Sequence, residues 1–272
     1  MTALSLIFGA IVGMSLGLTG GGGAIFAVPL LVYGLGTPPR EAVGISLAAV
    51  GATSFAGFLH RWKLGEVELR TGFLFAMAGM IGAPIGTWVA GFIPDVVLLL
   101  TFAGLMVVVA IRLWQQATRA VPSLTNCAPT DAEDGPTCRR DASGKLVLTS
   151  RCAILLLIVG LLTGVLSGLF GVGGGFVIVP ALVLFSGMSI HRAVGTSLMV
   201  IALVSVSGIS AQIWAGQSIS PLTTALFVLG GVAGLFAGQR LAHKLSGPML
   251  QKTFVVAILA VAVFVIVRNL QP

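Results

Sequence analysis

The sequence predicts an all-α polytopic membrane protein. It should consist of two inverted repeats, each of about five membrane-embedded helical segments, with short helices broken by glycine and proline. Three observations carry this expectation: an oily composition with little charge, a duplication of the chain onto itself, and a swap of basic charge between equivalent loops.

Of 272 residues, 57% are hydrophobic and 8% charged, with a mean hydropathy of +1.08. Soluble domains carry roughly 25% charged residues, so this chain cannot cover a water-facing surface. Runs such as GFLFAMAGMIGAPIGTWVAGF (72–92) and VVLLLTFAGLMVVVAI (96–111) reach the roughly 17–25 residues of a bilayer span once their flanks are counted. No period-2 alternation over ~10-residue segments suggests an outer-membrane barrel. The first 20 residues hold no Lys or Arg, so no signal-peptide n-region is expected and the first span reads as permanent. The net charge of +7 fits loop charge beside anionic membrane lipid, and no nucleic-acid partner is expected. Cys127, Cys138 and Cys152 form no CxxC pair and are expected to be reduced thiols, with no metal site.

Shifting the chain by 151 positions lays Pro29 on Pro180, AVGISL (42–47) on AVGTSL (193–198), and Ser54 and Gly57 on Ser205 and Gly208. At a shift of 152, Gly82 and Gly86 meet Gly234 and Gly238. This gives an N-terminal repeat at 1–114, a linker at 115–151 and a C-terminal repeat at 152–272. The linker, rich in Pro, Asp and Ser, is expected to be poorly ordered.

Within each copy a first apolar segment (4–19, or 153–170) ends at a glycine cluster. A short proline-containing one follows (24–34, or 176–187). Three longer spans come next, at 42–59, 69–90 and 96–114, matched by 193–213, 221–242 and 250–268. The 59–70 loop holds Arg61, Lys63 and Arg70, whereas 211–220 holds no basic residue; one loop later 91–95 has none, while 240–252 has Arg240, Lys244 and Lys252. Basic loops prefer the cytoplasm, so the copies should be inserted in opposite senses with the linker inside. Each short segment then either crosses the membrane or pairs with the segment before it as a hairpin that dips in and returns. An eight-span topology with re-entrant short pieces from the far side is the competitor, and it leaves the charge swap unexplained.

The clusters are Gly20 to Gly23 and Gly171 to Gly175, the latter interrupted by Val172. Runs of poor helix formers break a helix and leave free N–H groups where the next begins, a ready anion site at the positive end of a helix dipole. Matching Gly/Pro-interrupted segments in two repeats point to a transporter's central site. Gly20, Gly22, Gly23, Gly171, Gly173 and Gly174 are therefore the expected substrate-binding residues, joined by the hydroxyls of Ser46 and Ser197. Ser54 and Ser205, eight residues further on and roughly on the same face, rank below them. Pro29 and Pro180 should bend their segments and, with Arg40 and Arg192 at the starts of the long spans, are path or gating candidates. Gly13, Gly17, Gly164 and Gly168 form GxxxG spacings and read as helix packing.

No HExxH, GxSxG or Walker loop occurs, so no enzyme activity, catalytic residue or cofactor is expected. The two glycine-rich stretches, GLTGGGGAIFAVPLL (17–31) and GLFGVGGGFVIVPALV (168–183), together with AVGISL and AVGTSL and the later GAPIG and GLFAG, resemble the TauE/SafE family of sulfite exporters, also called the 4-toluenesulfonate uptake permease superfamily. The resemblance implies a multi-pass carrier of the bacterial inner (plasma) membrane that moves a small inorganic or organic sulfur oxyanion such as sulfite or an organosulfonate, and it covers Gly20, Gly22, Gly23, Pro29, Gly171, Gly173, Gly174 and Pro180. A secondary transporter, acting as an exporter, is thus expected. Outward movement of an anion gains roughly 2.3 kcal/mol per charge per 100 mV, whereas uptake needs a coupling proton or sodium ion. The alternatives are a passive anion channel and a non-transporting membrane assembly factor.

Overall fold

A computed structural model describes residues 2–118, 150–186, 188–217, 220–242 and 247–270. Among them all regular structure is helical, in ten segments: α1 (Thr2–Thr19), α2 (Gly22–Gly34), α3 (Pro39–Lys63), α4 (Leu69–Ala90), α5 (Asp95–Thr118), α6 (Ser150–Phe170), α7 (Gly175–Ser186), α8 (Ile190–Trp214), α9 (Pro221–Ala242) and α10 (Gly247–Leu270). Seven of these are long and apolar enough to cross a membrane. The expected spans are all present, and several run a few residues past their apolar stretch. α3 starts on Pro39 and ends with His60, Arg61 and Lys63 in its last turn, where cations complement the helix dipole. Helix also takes both ends of the expected linker, up to Thr118 and again from Ser150; residues 119–149, and their expected lack of order, lie outside the described residues.

The outer surface is greasy, with Phe73, Ile81, Leu229 and Val263 all exposed, as a lipid-facing bundle requires. The four tryptophans, Trp62, Trp88, Trp114 and Trp214, sit at or near C-terminal ends of helices and are exposed, the usual place for amphipathic rings at a membrane–water boundary. These features make the chain a multi-pass membrane protein.

Packing exchanges partners between the copies. α1 lies on α9 while its counterpart α6 lies on α4; α3 touches α9 while α8 touches α4; α3 pairs with α8, and α5 with α10. The α1–α9 and α4–α6 contacts are glycine seams. A Cβ on Gly9, Gly13 or Gly17 would strike the backbone of Phe227, Gly231 or Leu235, and one on Gly160, Gly164 or Gly168 that of Phe75, Gly79 or Ala83. Contact numbers rise together along both seams, so each pair runs parallel. The GxxxG positions thus let backbones touch, as expected. Along α3 and α8 the order reverses: Leu47 meets Gly208, Gly51 meets Ser205 and Gly57 meets Leu198, so these two equivalent helices are antiparallel.

The short helices differ from one another. α2 starts as 3-10 helix (Gly22–Phe26), makes one α turn (Ala27–Pro29) and finishes as π-helix (Leu30–Gly34). Pro29 therefore sits at a change of helical pitch, which fits its missing N–H. Pro180 instead lies inside α7, a single α-helix of 12 residues; the bend expected there is not a break. At a rise of about 1.5 Å per residue α7 spans about 18 Å, well short of a hydrocarbon core of about 30 Å. α2 folds back on α1, with Gly23 against Ser15 and Leu16 and Gly34 against Phe8, so α1 and α2 form a hairpin. One expectation fails: Cys152, fully buried, is disulfide-bonded rather than a reduced thiol. Spacing along a chain cannot reveal which sulfurs approach in space, and that approach decides pairing.

Candidate functional site

The site is built from the two hairpin tips. α1 ends where the Gly20 amide donates to the Leu16 carbonyl (2.7 Å), and α6 where the Gly171 amide donates to Ser167 (2.8 Å). Both glycines adopt left-handed backbone, φ 75° and 71°, the ordinary device for stopping a helix without a Cβ clash. The chain then turns back into α2 or α7, and the two turns meet. A Cβ on Gly21 would lie 2.6 Å from the Gly175 carbonyl oxygen, and one on Gly175 would lie 2.7 Å from the Gly21 Cα. No side chain separates the two backbones at that point. Gly20 to Gly23 and Gly171 to Gly175 are all buried.

Two serines cross-brace the tips. Ser46 of α3 donates to the Gly171 carbonyl (2.6 Å), and Ser197 of α8 donates to the Gly20 carbonyl (2.7 Å) or to Val194 in its own helix (2.8 Å). Each copy's serine thus holds the other copy's turn. Ser46 and Ser197 were expected as ligand donors. A hydroxyl has one proton, and here it goes to a carbonyl, so both serve as positioning groups in this arrangement.

Those hydrogen bonds cover the carbonyl that ends each hairpin's first helix, the negative side of the tip. The N–H groups on the positive side stay available. Among the described residues, the amides of Gly21, Gly22, Gly23, Val172, Gly173 and Gly174 have no hydrogen-bond acceptor. Buried backbone donors are nearly always paired with protein or water, which makes these six amides the candidate binding groups. Unpartnered hydroxyls occur in the buried interior as well. Ser54 and Ser205 are fully buried and their Oγ atoms have no partner among the described residues; the same holds for Ser167 Oγ. Ser205 Oγ lies 3.9 Å from where a Gly173 Cβ would be. The serines ranked lower from the sequence are therefore the ones with free hydrogen-bonding capacity. The sequence signal was their shared face with Ser46 and Ser197; which pair would be engaged by carbonyls depended on tertiary contacts.

Among the described residues the buried polar side chains are Ser, Thr and Gln only. Any charge preference at the tips must therefore come from oriented amides and from the starts of α2 and α7, which favour an anion. No group of three His, Cys, Asp or Glu side chains that could hold a metal occurs among the described residues.

The path candidates lie further out. Arg40 pairs with Asp95 (Nε to Oδ1, 3.0 Å) and its Nη2 donates to Ile93 (3.3 Å). It lines a small cleft with Val43, Thr87, Leu169, Gln212 and Gln217. Val43 packs on Gly171, so this cleft approaches the second tip. Arg192 is exposed in the first turn of α8, and the antiparallel α3–α8 contact puts it at the opposite end of the bundle from Arg40. Pro29 and Pro180 stand five or more residues beyond the tip contact. The structure thus assembles the glycines with Ser46 and Ser197 at one centre and leaves both arginines at the two ends.

The match to the family "Sulfite exporter TauE/SafE" covers residues 5–265. A probable membrane transporter protein of Xylella fastidiosa (strain 9a5c) is 36% identical, over 99% of this chain and 98% of its own. Probable membrane transporter protein YdhB of Bacillus subtilis is 28% identical over 73% of each chain, and MJ0441 of Methanocaldococcus jannaschii, with the same description, is 28% identical over 76% of this chain and 70% of its own. No solved structure matches. Doubled glycine motif, helical bundle and near-complete coverage agree: the chain belongs to the TauE/SafE family of membrane transporters.

Proposed function

We propose that this membrane transporter is a secondary exporter of small sulfur-containing anions, such as sulfite or organosulfonates, across the bacterial inner membrane. The observation that carries the reading is the meeting of the two glycine tips, with Gly21 against Gly175 and six unpaired amides around them. A sulfur oxyanion presents several acceptor oxygens and a delocalised charge, which suits converging N–H and hydroxyl donors with no fixed cation. Release stays easy because, among the described residues, no buried Lys or Arg stands at the tips. The family description adds sulfite as the first anion to test.

In this reading the copies are inserted in opposite senses, which the antiparallel crossing of α3 and α8 supports. α1–α2 and α6–α7 then enter from opposite faces and touch near mid-membrane, and access alternates as one part of the repeat pair rocks against the other. The inside-negative potential drives the anion outward without ATP. The linker lies inside on the loop charges; the Cys152 disulfide favours the reversed orientation, because disulfides persist in oxidising compartments. Sulfite, organosulfonate and sulfate flux from proteoliposomes, with and without an imposed potential, tests the function. Flux of a sulfur anion that rises with inside-negative potential is expected. No flux of any of the three refutes it.

A further inference from the structure

Away from the tips, two polar groups on neighbouring helices are buried without partners at the same level. Gln239 of α9 is 9% exposed, and among the described residues neither its Nε2 nor its Oε1 has a hydrogen-bond partner; the Nε of Arg61 on α3 is likewise buried and unpaired. α3 and α9 run in step, with Thr53 on Gly231, Gly57 on Leu235 and the His60 ring against Phe236. The same register sets Arg61 and Gln239 at one level of the α3–α9 contact. The guanidinium is held from its other side, since Nη1 donates to Glu66 Oε2 (2.8 Å) and to the His191 carbonyl (3.5 Å). That leaves the Nε edge, the one that grips an oxyanion in two-pronged fashion, facing away from its carboxylate. The Gln239 backbone nitrogen lies 3.0 Å from where a Gly17 Cβ would be, so Gln239 stands about one helical turn before Gly20 on α1.

We propose that Arg61 and Gln239 form a second small-oxyanion site, a waiting position between the basic end of the bundle and the glycine tips. A buried amide left with both ends unpaired is expensive. An oxyanion between them satisfies both. It accepts from Arg61 Nε–H and from the Gln239 amide, while Gln239 Oε1 takes an ordered water or the hydroxyl of a protonated anion. The equivalent positions at the other end hold Gln212 and Thr87, beside Arg40, whose side chain is 39% exposed against 14% for Arg61, so the two entrances differ in their hold on an anion. The proposal deepens the anion-transport reading and rests on it for the ion's route, although binding can be measured without transport.

Sulfite and sulfate are titrated calorimetrically into the purified full-length protein, and sulfite flux is measured in proteoliposomes. Gln239→Met keeps the volume and removes the orphaned amide; Arg61→Lys keeps the charge and removes the fork. Both are expected to weaken anion binding about ten-fold or more, the scale of one hydrogen bond to a charged group, and to raise the half-saturating sulfite concentration for entry from the Arg61 end. Gln239→Met should also raise the melting temperature, a gain that a purely structural role would give without any change in binding. Binding of wild-type strength in both variants overturns the proposal, as does failure of the wild type to bind either anion. Absence of flux with Gln239-dependent binding intact would sink the transport reading and leave this site standing.

Discussion

Gly21→Ala separates a transport site from a packing device. Gly21 has φ 166° and ψ −27°, outside the left-handed region that Gly20 and Gly171 occupy. The alanine Cβ, however, would sit 2.6 Å from the Gly175 carbonyl oxygen and 2.9 Å from the Gly175 Cα, against 3.4 Å for ordinary contact. The tips must part by the difference, 3.4 − 2.6 = 0.8 Å, and the opposing atoms are backbone that cannot rotate away. A displacement of about 1 Å at a positioning site lowers rates on the order of 100-fold. The expected result is a folded protein of near-normal abundance whose sulfite flux falls 10- to 100-fold, taking that estimate as the upper end. Gly13→Ala is the control. Its Cβ would come within 2.6 Å of the Gly231 carbonyl carbon at the α1–α9 seam, an overpacking that costs roughly 1–3 kcal/mol and should lower abundance and melting temperature. Normal flux per folded molecule in Gly21→Ala would refute the tip contact as the transport centre. Loss of abundance alone in both variants would point to an assembly role.

Ser46→Ala and Ser197→Ala each leave a buried carbonyl without its donor, at about 1–3 kcal/mol, and should lower the melting temperature in detergent; Ser197→Ala should act less if the hydroxyl spends time on Val194. Ser205→Ala removes a hydroxyl with no partner, so stability should hold or rise while the half-saturating sulfite concentration climbs; an unchanged concentration would remove Ser205 from the site. Arg40→Gln breaks an ion pair whose side chains are 39% and 44% exposed, worth under about 1 kcal/mol, and melting should barely move while anion entry from that end slows. Lys63→Cys and Gln217→Cys, made singly in a background lacking the native cysteines, should react with an impermeant thiol reagent from opposite faces of the membrane. Reaction from one shared face would overturn the opposed insertion of the copies.

What the sequence determined by itself was local and periodic. In lipid each spanning segment must satisfy its own backbone, so apolar length alone located every helix to within a few residues. Duplication followed from direct comparison of the halves, and glycine runs announced where helices stop, as Gly20 and Gly171 do. Tertiary structure decided everything that joins distant positions. Ser46 and Gly171 are 125 residues apart, and Ser197 and Gly20 are 177 apart; only packing could assign those hydroxyls to carbonyls and leave Ser54 and Ser205 free. Arg61 read as one more basic loop residue and Gln239 drew no notice, because an unpaired group is recognised by what fails to surround it. Side-chain chemistry is written along the chain, but whether a polar group finds a partner depends on which helices come to lie against it.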